Sequence, residues 1–181
     1  MMKLIIGGSG SGKSAYAEDC ITSMEQTGLS KRNLYYIATM KVYGKEGKQR
    51  VARHQKMREG KGFHTIEQET DLNHCLSAII PREDALVLIE CMSNLVANEM
   101  FTETETKRED AVVEKVLDDL SKISNEVKHL VVVTNNIFED GCQYAEDTKS
   151  YIRALGKVNA ELAKRADQVV EVVAGIPLEM K

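Results

Sequence analysis

The amino-acid sequence predicts an α/β fold with a mostly parallel sheet that carries helices on both faces. Short apolar runs rich in β-branched residues alternate along the chain with longer stretches of helical character. The short runs are apolar throughout, as strands buried on both faces of a sheet are. Strands that alternate with helices are typical of βαβ units. The 181 residues suffice for one compact domain and are few for two, so residues 1–181 are predicted to form a single domain.

The predicted strands are, in chain order, residues 3–6, 34–38, 85–89, 130–134 and 168–174. The predicted helices are residues 12–26, 47–58, 71–80, 91–101, 108–127 and 147–165. Near the C terminus, Gly175 and Pro177 lie between two apolar runs, which indicates a terminal hairpin at an edge of the sheet. The irregular polar segments 41–48 and 135–145 are candidate site loops, because parallel sheets bind ligands at the carboxyl ends of their strands.

Composition excludes several classes of function. Hydrophobic residues make up 43% and charged residues 29% of the chain, and the net charge is -4, so nothing in the balance suggests a nucleic-acid or membrane partner. The apolar start of the chain is too short for a secretory signal, and no stretch is long enough to span a bilayer. A cytoplasmic location is therefore expected. The four cysteines form no Cys-x-x-Cys pair and are expected to be reduced thiols.

A phosphate-binding loop follows the first predicted strand. The sequence there fits the pattern G-x-x-x-x-G-K-[ST] and reads Gly7-Gly8-Ser9-Gly10-Ser11-Gly12-Lys13-Ser14. Glycines let backbone N–H groups turn toward phosphates, and the following helix points its N terminus at the anion. Lys13 would contact the β and γ phosphates, and the Ser14 hydroxyl would bind Mg²⁺. A simple Gly-Ser turn is the alternative, but motif and context together predict a P-loop NTPase-type domain that binds a nucleoside triphosphate.

Two further features are candidate parts of this site. Glu90 ends an apolar strand, where it would either orient Mg²⁺ or be an ordinary polar residue at a strand exit. Residues 48–58 form a basic segment that would either cover the triphosphate or be a solvated helix face. His54 lies in this segment, and a neutral imidazole can act as a nucleophile. A lone histidine is nevertheless more often without a catalytic role.

The P-loop alone does not define the reaction. After the strand at 130–134, the chain lacks the Asn/Thr-Lys-x-Asp motif with which signalling GTPases read the base. One interpretation of these residues is a kinase or nucleotidyltransferase for a small metabolite. A regulatory nucleotide-binding protein without transfer activity is another, and acceptor-dependent turnover distinguishes the two.

An ordered set of motifs resembles one enzyme family over nearly the whole chain. Besides the P-loop, the set comprises Tyr36-Ile37-Ala38-Thr39, Arg50-x-x-x-His54, Thr65-Ile66-Glu67, Ile89-Glu90-Cys91-Met92-Ser93-Asn94-Leu95, Val132-Val133-Thr134-Asn135, Gly156-Lys157-Val158-Asn159, Ala166-Asp167-Gln168-Val169 and the ending 173–181. The chain is similar to the bifunctional adenosylcobinamide kinase/adenosylcobinamide-phosphate guanylyltransferases of cobalamin biosynthesis.

The resemblance implies two reactions: phosphorylation of adenosylcobinamide by a nucleoside triphosphate, GTP or ATP, and transfer of GMP from GTP to adenosylcobinamide phosphate. It implies that His54 is the catalytic nucleophile that becomes guanylylated, with Lys13 as the second catalytic residue, and that Ser14 and Glu90 hold Mg²⁺. It also implies a homo-oligomer, specifically a trimer. The nucleotide contacts that it implies are the loop residues Gly7, Gly8, Ser9, Gly10, Ser11, Gly12, Lys13 and Ser14 together with Thr39, Met40, Lys41, Gln55, Lys56, Met57, Arg58, Glu67 and Glu90.

The chain departs from the family pattern in two places. Gly10 stands where the family commonly has arginine, and Asn136 stands where it commonly has glutamate before a Gly-rich loop that contains proline. These departures lead to the hypothesis that guanylyl transfer is retained while the kinase step is weak. In the alternative, Glu139 or Asp140 replaces the missing glutamate after a small shift of the loop.

Overall fold

The computed structural model describes residues 1–25, 33–42, 44–137 and 143–181, apart from the side chains of residues 25, 45, 46, 48, 50 and 57. Seven strands form one sheet in the order β3-β2-β4-β5-β1-β6-β7. They are β1 Met2–Gly7, β2 Leu34–Ala38, β3 His64–Glu67, β4 Leu86–Glu90, β5 His129–Asn135, β6 Gln168–Val173 and β7 Ile176–Glu179. Strands β1 to β6 pair in parallel and β7 pairs antiparallel with β6, which confirms the predicted mostly parallel sheet.

Strand β3 is the one strand of the described chain that the apolar pattern did not predict. It has four residues, and three of them are exposed at the edge of the sheet beside β2. An edge strand needs no continuous apolar run, because only part of its surface meets the core. The five predicted strands all form, each with ends within one or two residues of the prediction.

The helices are α1 Lys13–Glu25, α2 Gly44–Arg58, α3 Met92–Met100, α4 Glu109–Glu126 and α5 Glu146–Arg165. Five of the six predicted helices correspond to these; the end predicted for the first, residue 26, lies outside the described residues. The prediction of a helix over 71–80 is corrected to a 3-10 helix, Leu72–Ala78. The segment is bounded by Asp71, whose φ of 49° lies outside the helical region, and by the extended Ile79 shortly before Pro81, so it has room for only a short helical run. No helix in the described part of the chain is both long and apolar enough to cross a membrane.

The sheet separates two hydrophobic cores, as the predicted helices on both faces require. The larger core joins the sheet to α3, α4, α5 and the 3-10 helix, and the smaller core joins its other face to α1. Helix α4 shows why this packing follows from sequence: Val112, Val116, Leu120 and Ile123 recur at three- and four-residue spacing and are all buried. In α1 the buried apolar pair is Ala17 and Ile21, one turn apart.

The carboxyl ends of the parallel strands meet along one edge of the sheet. Ala38 at the end of β2 is in register with Glu67 on one side and with Glu90 on the other. Gly7 at the end of β1 is in register with Asn135 at the end of β5. The phosphate-binding loop and the carboxylates that the sequence predicted for the site are therefore brought to the same edge.

The predicted C-terminal hairpin is present, and its turn touches the phosphate-binding loop. Ala174 and Gly175 have φ of 50° and 81°, as the two residues of a tight hairpin loop that matches strand twist do. The Gly175 N–H donates to the Ser11 carbonyl at 2.8 Å. A Cβ at Gly7 would lie 2.6 Å from the Val172 carbonyl oxygen of β6. Glycine at position 7 is therefore required by the close approach of β6, as well as by any ligand.

Candidate nucleotide site

The loop between β1 and α1 is held by its backbone conformation and by hydrogen bonds to its own backbone. Gly10 and Gly12 have φ of 74° and 91°, a conformation that other residues adopt at a cost. The Ser11 N–H donates to the Gly8 carbonyl at 3.2 Å, and the Lys13 ammonium donates to the same carbonyl at 3.0 Å. Lys13 is buried, and burial lowers its pKa, while the nearby Cys91 and Glu90 oppose that shift. The loop thus places the Lys13 cation at the N terminus of α1, where backbone N–H groups favour an anion.

Glu90 lies at the end of β4 and accepts hydrogen bonds from two hydroxyl groups. Its Oε1 accepts a short hydrogen bond from the Ser14 hydroxyl, and its Oε2 accepts one from the Tyr36 hydroxyl at 3.2 Å. The Ser14 and Glu90 oxygens are hard donors of the kind Mg²⁺ prefers, and Mg²⁺ beside phosphates commonly needs only one or two protein ligands. The residues therefore fit the ion. Among the described residues, no cluster of three or more His, Cys, Asp and Glu side chains forms a separate metal cage.

His54 lies near the same carboxylate oxygen that accepts from Ser14. Helix α2 places its Nδ1 3.8 Å from Glu90 Oε1, with 21% of the histidine side chain exposed. One turn further along α2, the Arg58 guanidinium lies 3.7 Å from the centre of the Tyr36 ring, a cation–π contact. The predicted nucleophile, the predicted metal ligands and the phosphate-binding loop are thus brought together at one point, with Glu90 in the middle.

A cleft with a volume of about 370 Å³ opens at this point. Predicted site residues that line it are Ser9, Gly10, Gly12, Lys13, Ser14, Met40, His54, Gln55, Arg58, Glu67 and Glu90. Gly7, Gly8, Ser11, Thr39 and Lys41 are not on its wall, Lys56 lines an adjoining cavity, and the Met57 side chain lies outside the described residues. Thr39 is fully buried, and its hydroxyl accepts from the Cys91 N–H at 2.7 Å and donates to the Cys91 carbonyl at 2.8 Å.

The cleft wall also contains residues that were not predicted as site residues, notably Tyr36, Glu69, Asn94 and Asn135. Asn135 is anchored through its amide, which donates to the Ser93 hydroxyl at 2.6 Å. A signal for Asn135 was present, since it directly follows a predicted strand and begins the candidate site loop 135–145. Asn94 lies within a predicted helix and carried no signal of this kind. Tyr36 carried no such signal, because a tyrosine inside a buried strand resembles a core residue until the partner of its hydroxyl is known.

Comparison with known proteins identifies the family to which this site belongs. Residues 3–180 match the family described as cobinamide kinase / cobinamide phosphate guanyltransferase. The chain belongs to this family. The match covers the site and both cores, and it confirms the resemblance inferred from the ordered motifs.

Three curated relatives align with the chain over all or nearly all of their length. Two are bifunctional adenosylcobalamin biosynthesis proteins CobU, from Salmonella typhimurium (30% identical) and Escherichia coli (29% identical), each with 100% of both chains covered. A third is the bifunctional adenosylcobalamin biosynthesis protein CobP of Pseudomonas aeruginosa, 26% identical over 100% of this chain and 98% of its own.

Solved structures confirm the predicted P-loop NTPase-type fold. The flagellar accessory protein FlaH of Methanocaldococcus jannaschii superimposes with a TM-score of 0.51 at 12% identity, over 99% of this chain and 77% of its own. A KaiC-like protein of Pyrococcus horikoshii also has a TM-score of 0.51, at 15% identity, over 94% and 69% of the two chains. At these identities the likeness concerns the fold alone.

Proposed function

We propose that the protein phosphorylates adenosylcobinamide and transfers GMP from GTP to adenosylcobinamide phosphate through a guanylyl group on His54. The observation that carries the proposal is the distance of 3.8 Å between His54 Nδ1 and Glu90 Oε1, because Glu90 also accepts from Ser14 of the phosphate-binding loop. A nucleophile and a triphosphate site that share a carboxylate can act on the same phosphate chain. Family membership supports both activities.

The guanylyl transfer would proceed as two displacements at the α-phosphorus. In the first, the lone pair of His54 Nε2 forms the P–N bond while the bond between the α-phosphorus and the bridging oxygen breaks, and pyrophosphate leaves with that electron pair. The proton on Nδ1 stays on the ring, where the Glu90 carboxylate balances the imidazolium charge. In the second, a phosphate oxygen of adenosylcobinamide phosphate attacks the same phosphorus, the P–N bond breaks and neutral His54 returns.

In the kinase step the acceptor hydroxyl would attack the γ-phosphorus, and the nucleoside diphosphate would leave. Lys13 and the N–H groups of the loop stabilise the charge on the phosphates in both reactions. Ser14 and Glu90 would hold Mg²⁺, which when bound neutralises phosphate charge. Because this step does not need His54, the two activities can be separated by mutation.

Three further expectations from the sequence belong to the proposal. All of residues 1–181 form one nucleotide-binding catalytic domain, supported by the single sheet that includes strands from β1 to β7. The protein is a homo-oligomer, specifically a trimer, and exposed apolar side chains on the β7 edge support such an association: Val173, Ile176, Leu178 and Met180. The location is cytoplasmic, where GTP and ATP are available.

Covalent labelling tests the proposed function. The purified protein, incubated with α-labelled GTP and Mg²⁺, should acquire label through an acid-labile and alkali-stable bond. The His54→Ala variant should acquire none, while it still phosphorylates adenosylcobinamide. Equal labelling of His54→Ala would contradict the assignment to this residue. A wild-type protein that binds GTP but neither acquires label nor turns over either acceptor would instead be the regulatory nucleotide-binding protein.

A further inference from the structure

An ion pair with one fully buried partner lies just past the C-terminal end of α2, beyond the site described above. The Lys61 ammonium is 2.9 Å from Glu18 Oε2, and the Glu18 side chain is fully buried on α1, one turn after Ser14. Lys61 also lies 3.1 Å from Asp19 Oδ1, but Asp19 is 73% exposed. The same lysine therefore has one buried and one solvated partner, on adjacent residues of the same helix.

Two side chains three positions apart, Arg58 and Lys61, anchor this end of α2. Arg58, in the last turn of α2, is buried and stacks on Tyr36 of β2. Lys61, in the following turn, reaches α1, and its backbone N–H donates to the Arg58 carbonyl at 3.0 Å. This end of α2 is thus fixed to the strand that supports Glu90 and to the helix that begins with the phosphate-binding loop.

His54 depends on this anchoring through the geometry of the helix. His54 and Arg58 are four residues apart, so they lie one above the other on the same face of α2. A displacement of Arg58 and Lys61 would carry the imidazole with it. In-line attack tolerates little displacement, since about an ångström of misplacement can cost on the order of a hundredfold in rate.

The burial of Glu18 is costly, which suggests a role beyond stability. Burial raises the pKa of Glu18, and hydrogen bonding to Lys61 opposes that shift. Its second oxygen, Oε1, is buried and has no hydrogen-bond partner in the described part of the chain. Replacing a buried ion pair by well-packed apolar residues of similar volume is often neutral or stabilising for a fold. A carboxylate at this position is therefore poorly explained by stability and well explained by orientation of α2.

We propose that Glu18 is a positioning residue for guanylyl transfer, which acts through Lys61 to hold α2 and so to hold His54 against the α-phosphate. The inference rests on the proposed guanylyl-histidine. It assigns Glu18 no part in the kinase step, because that step does not use His54.

The experiment compares Glu18→Gln with Asp19→Asn. Both substitutions remove one carboxylate that faces Lys61, but only the first removes the buried one. In Glu18→Gln the initial rate of labelling by saturating α-labelled GTP should fall by about tenfold, the scale of an ionised hydrogen-bond partner replaced by a neutral one. Asp19→Asn should label within about twofold of wild type, because exposed ion pairs contribute little. The rate of adenosylcobinamide phosphorylation at saturating triphosphate should be unchanged in both variants.

Two outcomes would overturn the inference: equal labelling by Glu18→Gln and Asp19→Asn, or a parallel loss of labelling and kinase rate. If Glu18→Gln fails to fold, Lys61→Met and Lys61→Arg replace it. Labelling should fall in Lys61→Met and be retained in Lys61→Arg, and wild-type labelling by Lys61→Met would overturn the inference. Absence of labelling in the wild-type protein would contradict the proposed function itself, which is a different result.

Discussion

Glu90 is the residue on which the site converges. It is buried at the end of β4, and its two oxygens meet the Ser14 hydroxyl, the Tyr36 hydroxyl and the His54 imidazole. A carboxylate that accepts two hydroxyl hydrogens keeps a fixed orientation, so its remaining lone pairs point in defined directions. The same group can therefore face a cation bound at Ser14 and balance an imidazolium at His54.

Substitution of Lys13 by alanine should remove most of the affinity for a triphosphate. Lys13 is the mobile cation of the phosphate-binding loop, and loss of its charged contacts should cost about 3 kcal/mol, or on the order of a hundredfold in affinity. The fold should be retained, because burying an ammonium contributes little to stability. Calorimetric titration with GTP, beside a thermal melt, measures both effects. An unchanged affinity would contradict the assignment of the phosphate-binding loop.

Substitution of Ala174 by glycine should stabilise the protein. Ala174 has a φ of 50°, where a Cβ is unfavourable, and glycine would relieve about 1 kcal/mol of strain. Ala111→Gly, at an exposed site in α4, is the matched control and should destabilise by a similar amount. Denaturant midpoints of the two variants should move in opposite directions. Destabilisation by Ala174→Gly would show that the turn is not strained.

Helices and strands were predicted correctly where their burial requires a recognisable pattern of apolar residues. The central strands β1, β4 and β5 are buried on both faces and form unbroken apolar runs, so each was found. Strand β3 was missed because its edge position leaves three of four residues exposed. The 3-10 helix was predicted as an α-helix, since a few apolar residues at three- and four-residue spacing do not distinguish the two.

In the candidate site, too, some features could be predicted from local sequence and others could not. The phosphate-binding loop is local, so one contiguous motif predicts it, and strand ends point to Glu90. Contacts such as Tyr36 with Arg58, or Glu18 with Lys61, join residues that are 22 and 43 positions apart. Nothing local marks these pairs, because a buried polar side chain is explained only by the partner that satisfies it.

The docking of α5 on α4 should depend on pH through Glu109. Hydrogen bonds from Lys157 and Arg153 hold the pKa of Glu109 below its ordinary value of 4.5. A depressed pKa in the folded state gives stability that is present above the unfolded value and is lost as the pH falls through the folded value. Glu109→Gln should therefore cost about 0.5–1 kcal/mol at neutral pH, since both cations are half-exposed, and progressively less below pH 4.5.

Urea unfolding at several pH values measures this contribution. Glu114→Gln on the same helix is the control, because Glu114 is exposed and forms no ion pair within the described ranges. Its effect should be close to zero and independent of pH. A difference between Glu109→Gln and wild type that persists at low pH would indicate that packing, and not the charge, is what Glu109 contributes.

For the protein as a whole, one phosphate-binding loop would have to serve two reactions at different phosphorus atoms. His54 lines the cleft from α2, whereas Asn135 lines it from the end of β5, beside the end of β1 that leads into the loop. The departures from the family pattern lie in the loop and directly after Asn135: Gly10 on the cleft wall and Asn136, whose N–H donates to the Gly7 carbonyl at 3.1 Å. Glu139 and Asp140, which could compensate, lie outside the described residues.

This asymmetry leads to the prediction that guanylyl transfer is efficient and the kinase step weak. In the proposed mechanism, guanylyl transfer uses the loop, Glu90 and His54, which lie together in the structure, whereas phosphorylation uses an acceptor hydroxyl held in line with the γ-phosphate. Gly10 has no side chain, so no positive charge at this position offsets the negative charge on the phosphoryl group that is transferred. Turnover should be measured with adenosylcobinamide and with its phosphate separately, in wild type and in Asn136→Glu, which restores the residue common in the family. Asn136→Glu should raise only the kinase rate, and comparable wild-type rates for both acceptors would show that the altered segment is neutral.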